Sequence, residues 1–235
     1  LSQSFYLGYP IANYNLPEGA VRTVRNSEQV LTDFVSATGR DIPSNVLENA
    51  AGIAIISGLT KAAFIAGGRH GTGVFVNQGE DEWSLPVLAS ITGASLGAQI
   101  GISATDLVLV FQNQEAADSL KKGGKFTLGA DLSVAAGPVG GSANLSALNA
   151  EVLAYSRSEG AFAGLSLTGG NMSLNRDQTM EYYAAANQET VRGYYGDDEL
   201  FEDLLEPDEA AGFGNVPPEA AELKQTLDRL TGEQR

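Results

Sequence analysis

The 235-residue sequence predicts an α+β protein with a mainly antiparallel sandwich- or barrel-like sheet in the middle, flanked by N- and C-terminal helices. Two observations support this prediction. Apolar residues recur at helical spacing near both ends of the chain, whereas the middle contains short apolar or β-branched runs separated by Gly, Pro, Asn or acidic residues. Segregation of helical and strand patterns along a chain is typical of α+β folds.

The N-terminal region predicts an arm followed by a helix. Residues 1–22 are expected to form an extended aromatic arm, in which Phe5, Tyr6 and Tyr9 lie among Gly and Pro. The first helix is predicted over residues 27–38, because Asn26 is placed to cap it and its apolar residues fall on one face. A second short helix is predicted after Pro43, with Ser44 as its cap and an end near residue 51.

The middle and the C-terminal part complete the predicted fold. A helix over 113–122, capped by Asn113, interrupts the strands, and three helices follow at 178–188, 198–205 and 218–230. We therefore expect a domain at 23–196 and an acidic helical appendage at 197–235. The predicted strands are 52–56, 62–66, 73–77, 83–88, 106–111, 125–128, 132–136, 151–156 and 162–167.

Composition excludes several classes of site. The chain has no cysteine and one histidine, so disulfides, thiolate metal sites and sites with two imidazoles are excluded. A net charge of −15 argues against nucleic acid as a partner, and no cofactor or metal site is predicted. Residues 181–235 carry −10 of that charge, which predicts a solvated acidic face; a divalent-cation site there is the weaker alternative, because no calcium-binding loop motif is present.

Residues 85–105 form an uncharged stretch with glycines spaced four residues apart, the spacing of self-associating membrane helices. A proline and six Ser, Thr or Gln residues dilute its hydrophobicity. We therefore predict a strand, a closely packed glycine-rich segment and a second strand, and no transmembrane segment.

The densest glycine cluster, residues 67–73, admits two interpretations. One is a tight hairpin between strands 62–66 and 73–77, in which glycine supplies positive φ. The other is a backbone-amide nest for an anion, reinforced by nearby cationic side chains. The predicted headgroup site comprises Lys61, Gly67, Gly68, Arg69, His70, Gly71 and Gly73. A secondary basic cluster, Lys121, Lys122 and Lys125, follows the inserted helix, where cations also pair favourably with a helix C-terminus.

Residues 93–97 match G-x-S-x-G, the nucleophile-elbow string of esterases, with Ser95 as the nucleophile. That mechanism needs a strand–turn–helix and a histidine that follows the serine, whereas His70 precedes it. A serine esterase is therefore the third functional alternative, and we expect no enzymatic activity.

The sequence resembles the SYLF-domain family of lipid-binding proteins between about residues 23 and 196. The strings VLENAAGIAII at 46–56, KAAFIAGGR at 61–69 and GTGV at 71–74 carry the resemblance. Further matching segments are 83–86, 99–101, 105–110, 126–131, 133–140, 155–158, 160–167 and 194–196. The resemblance implies a non-catalytic module that binds phospholipids, and eukaryotic relatives bind phosphoinositides and actin. The sequence departs from the family pattern in two ways. Its first predicted helix is poor in Lys and Arg, although Arg22 and Arg25 precede it, and no SH3 or FYVE-like domain is present in the sequence.

The predicted function is reversible, non-enzymatic contact with anionic lipid, such as a phosphoinositide-like headgroup, at a membrane surface. The membrane-contact candidates are Val30, Leu31, Phe34, Phe5, Tyr6 and Tyr9. The alternative is a protein-interaction scaffold that meets a protein partner through the acidic tail and aromatic arm. The chain begins with Leu and shows no export signal, which does not decide its compartment. Bacterial SYLF-domain relatives often carry export signals, so the resemblance implies the cell envelope or periplasm if the protein is bacterial and exported, and a cytoplasmic membrane surface otherwise. The sequence does not specify an oligomeric state.

Overall fold

The computed structural model describes residues 5–6, 9–10, 16–36, 42–79, 82–123, 125–138, 149–158, 169–187, 197–207 and 215–232. The helices are α1 (Glu18–Ser36), α2 (Ser44–Glu48), α3 (Gln114–Gly123), α4 (Arg176–Ala186), α5 (Asp197–Leu205) and α6 (Pro218–Gly232). The strands are β1 (Phe5–Tyr6), β2 (Tyr9–Pro10), β3 (Gly52–Asn77), β4 (Val87–Phe111), β5 (Lys125–Thr127), β6 (Val134–Ala136), β7 (Val152–Ser158) and β8 (Gly170–Leu174).

Two long antiparallel strands, β3 and β4, form the centre of the fold. They pair from Gly52 opposite Phe111 to Phe75 opposite Val87, with irregularities in the register after Ile56 and after Ala63. The predicted strands 52–56, 62–66 and 73–77 are therefore parts of one strand. The prediction of separate strands was wrong because glycine was taken to end each run, whereas paired glycines continue this ladder.

The β3–β4 ribbon folds back on itself. A Cβ atom added at Gly73 would lie 1.8 Å from the carbonyl oxygen of Ile55, and one at Gly52 would lie 2.9 Å from the Phe75 ring. The two ends of β3 therefore meet, and its middle is the most distant part. We call residues 78–86 together with the adjoining ends of β3 and β4 the closed end, and residues 60–68 with 94–104 the ribbon bend.

The outer edge of β4 is shared by two shorter strands. β8 pairs with β4 between Ala89 and Gly93, and β7 pairs with it between Thr105 and Phe111. β5 extends the sheet beside β8, and β6 lies parallel to β7. The result is a curled, mainly antiparallel half-barrel with helices before and after it, so the predicted α+β class is confirmed.

The first helix begins nine residues earlier than predicted. α1 starts at Glu18 directly after Pro17, and Asn26 lies inside it rather than capping it. Ala20 and Val24 continue the buried stripe toward the N-terminus, and the acidic Glu18 is favourable in a first turn. Residues 18–22 of the predicted extended arm are therefore helical. The rest of the predicted arm lies largely outside the described residues, apart from the short β1–β2 pair.

The other local predictions are mostly correct. Asn113 caps α3, since its side-chain oxygen accepts a hydrogen bond from the Ala116 amide at 2.9 Å. α2 ends at Glu48, earlier than predicted, and Pro43 rather than Ser44 occupies its cap position. α4, α5 and α6 lie within two residues of their predicted bounds. β8 was not predicted, and the predicted strand at 162–167 lies outside the described residues.

The C-terminal helices are part of the hydrophobic core. Leu204 of α5 and Leu223 and Leu227 of α6 are fully buried in the same cluster as the strands. The description of residues 197–235 as an appendage is corrected in this respect, while the division into domains stays a prediction. No helix among the described residues is long and apolar enough to cross a membrane, and residues 87–105 lie in β4.

Candidate binding surface

The glycine cluster at 67–73 lies inside β3, so the predicted hairpin and the predicted amide nest are both wrong. Successive strand residues face opposite sides of a sheet. Arg69, Gly71 and Gly73 are buried on the inner side, whereas His70 and Thr72 are exposed on the outer side. Arg69 and His70 therefore do not converge on one anion.

Close packing explains the inner glycines. A Cβ atom at Gly71 would lie 2.7 Å from the Ile56 side chain, and one at Gly73 would overlap the Ile55 carbonyl. The positive φ values among the described glycines occur elsewhere, at Gly58, Gly129 and Gly169. These glycines permit the two halves of β3 to cross in contact, which is a structural role.

Arg69 is a buried cation of the inner face. It is 8% exposed, and burial lowers the pKa of its guanidinium from the ordinary value. Its side chain occupies the space beside Gly93, since a Cβ atom there would lie 2.6 Å from the Arg69 Nε. Arg69 is therefore placed poorly for a headgroup outside the sheet. Lys61 lies in β3 opposite Ser103, in the ribbon bend; its side chain is outside the described part of the structure.

Two of the three lysines of the secondary basic cluster form ion pairs. Lys121 is 9% exposed, and its ammonium lies 2.9 Å from Asp118 and 3.2 Å from Glu206. Lys122 is exposed and lies 3.5 Å from the same Asp118. These contacts favour the helix-terminus interpretation, and Lys121 joins α3 to the end of α5. Lys125 is exposed at the start of β5.

The predicted membrane-contact residues of α1 lie in the core. Val30, Leu31 and Phe34 are 6%, 0% and 4% exposed, so this face is already buried against the sheet. Ser27 reinforces the packing, because its hydroxyl donates to the Ile55 carbonyl oxygen at 3.3 Å. The side chains of Phe5, Tyr6 and Tyr9 lie outside the described part of the structure.

Ser95 does not occupy a nucleophile elbow. The segment 93–97 lies within β4, and Ser95 is opposite Gly67 in the ladder. The sharp strand-to-helix turn that exposes a catalytic serine is replaced by continuous strand, so the assignment of residues 93–97 as a nucleophile elbow is wrong. Among the described residues, no group of three or more His, Asp or Glu side chains is arranged to hold a metal ion.

A polar groove on the outer face was not predicted. It has a volume of about 530 Å³ and is lined by His70 and Thr72 of β3, Ser90 of β4, and Arg176 and Gln178 of α4. The guanidinium of Arg176 stacks over the Phe201 ring at 4.6 Å and lies 3.9 Å from Glu202. No sequence pattern indicated this groove, because strand β8, which leads directly into α4, was not predicted.

Charge is unequally distributed between the two ends of the molecule. α5 and α6 contain eight acidic and two basic residues, a net charge of −6. β3 and β4 contain two basic residues and one acidic residue, a net charge of +1. The exposed residue Glu82, between β3 and β4, adds an acidic side chain to the helical side.

Direct contacts place the acidic helices at the closed end. The side-chain amide of Asn77 donates to the Leu205 carbonyl at the end of α5, at 3.1 Å. The Trp83 amide donates to Asp228 of α6 at 3.1 Å, and the Lys224 ammonium lies 2.9 Å from Glu82. Each contact joins residues 77–83 to α5 or α6, so these helices lie away from the ribbon bend.

The outer face of the ribbon bend is exposed and uncharged at its described positions. Thr60 pairs with Ala104 on one side of the bend, and Gly68 pairs with Ala94 on the other. These four residues are exposed. Asp106, a carboxylate near the bend, accepts a hydrogen bond from the Gly58 amide at 2.8 Å.

Comparison with known proteins identifies the family. Residues 92–230 match the Ysc84 family, described as "Las17-binding protein actin regulator". The chain belongs to the Ysc84 family. This confirms the resemblance to SYLF-domain proteins that the sequence strings indicated.

Three relatives illustrate the extent of the match. LAS seventeen-binding protein 3 of Saccharomyces cerevisiae is 37% identical over 182 residues, which are 73% of this chain and 39% of that protein. Protein YSC84 of the same species is 35% identical, covering 92% of this chain and 45% of that protein. Human SH3 domain-containing YSC84-like protein 1 is 33% identical, covering 93% and 61%. The chain spans about two fifths to three fifths of the length of these Ysc84-family relatives.

Proposed function

We propose that this Ysc84-family chain is a non-enzymatic binding module that makes reversible contact with an anionic phospholipid surface through the end that carries the ribbon bend. The observation that carries this proposal is the segregation of charge. The strands that form the bend have a net charge of +1, whereas the helices at the opposite end have −6. A net charge of −15 therefore does not exclude a local contact with anionic lipid.

Screening supports this orientation. Nine strand residues separate Ile55 at the closed end from Phe64 in the bend, a length of at most about 30 Å. The Debye length at physiological ionic strength is about 8 Å. Repulsion between the acidic helices and the lipid surface decays over this Debye length, so it is weaker when the bend faces the membrane than when the helices face it.

The proposed site of action follows from this contact. The protein would lie peripherally at a membrane surface, in the cell envelope or periplasm if a bacterium exports it, and at the cytoplasmic face of a membrane otherwise. Co-sedimentation with vesicles of neutral phosphatidylcholine, and with vesicles that also contain phosphatidylserine, tests the lipid preference. We expect stronger binding to the anionic vesicles, and equal binding to both would contradict the proposal.

A matched pair of variants tests the orientation. Ala94→Glu and Gln225→Glu each add one negative charge at an exposed position, in the bend and on α6 respectively. One charge near a lipid surface contributes about 1 kcal/mol, so Ala94→Glu should weaken binding about fivefold. Gln225→Glu should change it less than twofold. Equal effects would show that total charge, rather than orientation, governs binding.

A protein partner is the second candidate function, favoured by the family's description as an actin regulator and by relatives named for binding a protein. Here the acidic helices would contact a basic site on the partner. Removing residues 181–235 is unsuitable as a test, because Tyr182, Tyr183 and Leu227 belong to the core. Filament co-sedimentation of the intact chain with actin is the direct measurement.

Point variants separate this candidate from lipid binding. Glu202→Gln neutralises an exposed carboxylate on α5, and Glu18→Gln does so on α1 as the control. Contact through α5 predicts that only Glu202→Gln weakens pelleting with filaments, with vesicle binding retained. Absence of the wild-type chain from the filament pellet would eliminate actin as the partner.

A further inference from the structure

We infer that the ribbon bend, rather than the apolar face of α1, is the element that enters the bilayer interface. This inference rests on the proposed lipid contact and names the part of the chain that penetrates. It is carried by the occupied face of α1, the absence of acidic residues from the bend, and the irregular pairing of the strands there.

The apolar face of α1 is not available to lipid in this fold. Leu31 is fully buried, and Phe34 is nearly so. α1 also contacts α6, since the Arg25 guanidinium lies 2.8 Å from the Glu219 carboxylate. Insertion of α1 would require these contacts to be replaced and the sheet beneath to be uncovered.

The bend has the composition of an interfacial segment. Residues 62–68 and 87–104 contain no charged side chain, and Lys61 is the single charge in residues 60–68 and 94–104. A single cation beside an apolar segment suits an anionic lipid surface, because the cation can contact the headgroups while the apolar residues contact the hydrocarbon beneath them. The large apolar residues in the bend are Phe64, Ile65, Leu96, Ile100 and Ile102.

The backbone geometry of the bend suits shallow insertion. Ala63 is opposite Gly101, and Ile65 is opposite Gly97, so one residue of β3 faces three residues of β4. Such a bulge bends the ribbon locally and displaces the longer strand outward. The strands remain paired on both sides of the bulge, which limits the number of backbone groups that lose their partners on leaving water.

The occupant of this surface is the phospholipid interface rather than a second copy of the chain. Ala94 and Ala104, the exposed residues that flank the bulge, carry no polar side-chain group that could hydrogen-bond across an interface between two copies. An interface with lipid does not require complementary side chains. It requires a segment without acidic side chains, and residues 60–68 and 94–104 contain none.

Tryptophan fluorescence with brominated lipid tests the inference in the full chain. The native Trp83 is 1% exposed at the closed end and acts as an internal reference for folding. Ala104→Trp places a second indole in the bend, and the matched control Gln225→Trp places one on exposed α6. Each variant is added to phosphatidylcholine/phosphatidylserine vesicles with and without bromine on the acyl chains.

The expected result is that brominated vesicles quench at least half of the additional emission of Ala104→Trp. We expect brominated vesicles to quench less than one tenth of the additional emission of Gln225→Trp, and less than one tenth of the Trp83 emission of the wild type. Vesicle binding without quenching of Ala104→Trp would overturn the inference and leave the proposed lipid contact standing. Failure of the wild type to bind vesicles would overturn both. A blue shift of Ala104→Trp emission with protein concentration, without vesicles, would assign the bend to a contact between copies and overturn the inference.

Discussion

The closed end and the ribbon bend belong to the same two strands but are stabilised differently. At the closed end, Trp83 donates from its indole nitrogen to Thr231, and Lys224 contacts both Glu82 and Asp228. Burial lowers the pKa of Lys224, but its hydrogen bonds and charge interactions with Asp228 and Glu82 together outweigh burial. The pKa of Lys224 is therefore raised. The described outer positions of the bend are small and uncharged. Side-chain contacts therefore tie the closed end to α6, whereas the described outer positions of the bend present only small, uncharged groups.

Glycine substitutions should produce the largest difference in the free energy of unfolding. Gly73→Val introduces a Cβ atom 1.8 Å from the Ile55 carbonyl, where the two halves of β3 cross. Because backbone must move to admit it, we expect a loss of at least about 3 kcal/mol in the free energy of unfolding. Urea denaturation measures this loss.

Gly68→Ala is the control in the bend. The nearest atom to its added Cβ would be 3.9 Å away, so we expect a change below about 0.5 kcal/mol. Equal destabilisation by the two substitutions would contradict the assignment of the inner glycines to close packing.

A core substitution in α6 should have the next largest effect. Leu227→Ala removes a fully buried side chain, and we expect it to lower the free energy of unfolding by about 2–5 kcal/mol. Ala94→Ser in the bend, at an exposed position, should change it by less than about 0.5 kcal/mol. If chemical denaturation shows that α6 unfolds in a separate, earlier transition, α6 is an appendage rather than part of the core.

Two buried tyrosines should show the smallest effects. The Tyr183 hydroxyl donates to the Pro86 carbonyl at 2.8 Å at the closed end, so Tyr183→Phe should cost about 1 kcal/mol. The Tyr155 hydroxyl on β7 is buried and accepts or donates no hydrogen bond among the described residues. Tyr155→Phe should therefore be neutral or slightly stabilising.

The pH dependence of stability tests the burial of Tyr155. Burial raises the pKa of Tyr155 to about 12, above the value of about 10 in the unfolded chain. The unfolded state therefore loses its proton first, and the contribution of Tyr155 to stability falls as pH rises from about 10 to 12. The alkaline limb of the unfolding free energy should be flatter in Tyr155→Phe. An unchanged limb would contradict the burial of this hydroxyl.

The sequence predicted elements where local chemistry determines them. Asn113 and the apolar spacing after it sufficed to place α3, and the amphipathic patterns located α4 to α6. The start of α1 was missed because Asn26 resembles a cap, although Ala20 and Val24 already follow the helical period. Local capping signals do not reveal whether the helix continues upstream.

The candidate site depended on long-range geometry that the sequence does not encode locally. Glycines at 71 and 73 indicate either a turn or a close approach of backbones, and only the fold of β3 against Ile55 distinguishes the two. Arg69 and His70 face opposite sides of the sheet because side chains alternate along a strand, and this alternation could be used only after residues 67–73 were known to be strand. The amphipathic face of α1 likewise suits a core or a membrane equally, and the structure places it in the core.

The most direct test of the central claim compares the two ends on the same vesicles. Because the chain contains no cysteine, Ala94→Cys and Gln225→Cys can each be labelled with one environment-sensitive fluorophore. Quenching by acrylamide is measured before and after addition of phosphatidylcholine/phosphatidylserine vesicles. We predict that binding protects the label at position 94 from acrylamide and leaves the label at position 225 unchanged. Protection at position 225, or equal protection at both positions, would contradict the assignment of the ribbon bend as the membrane-facing end.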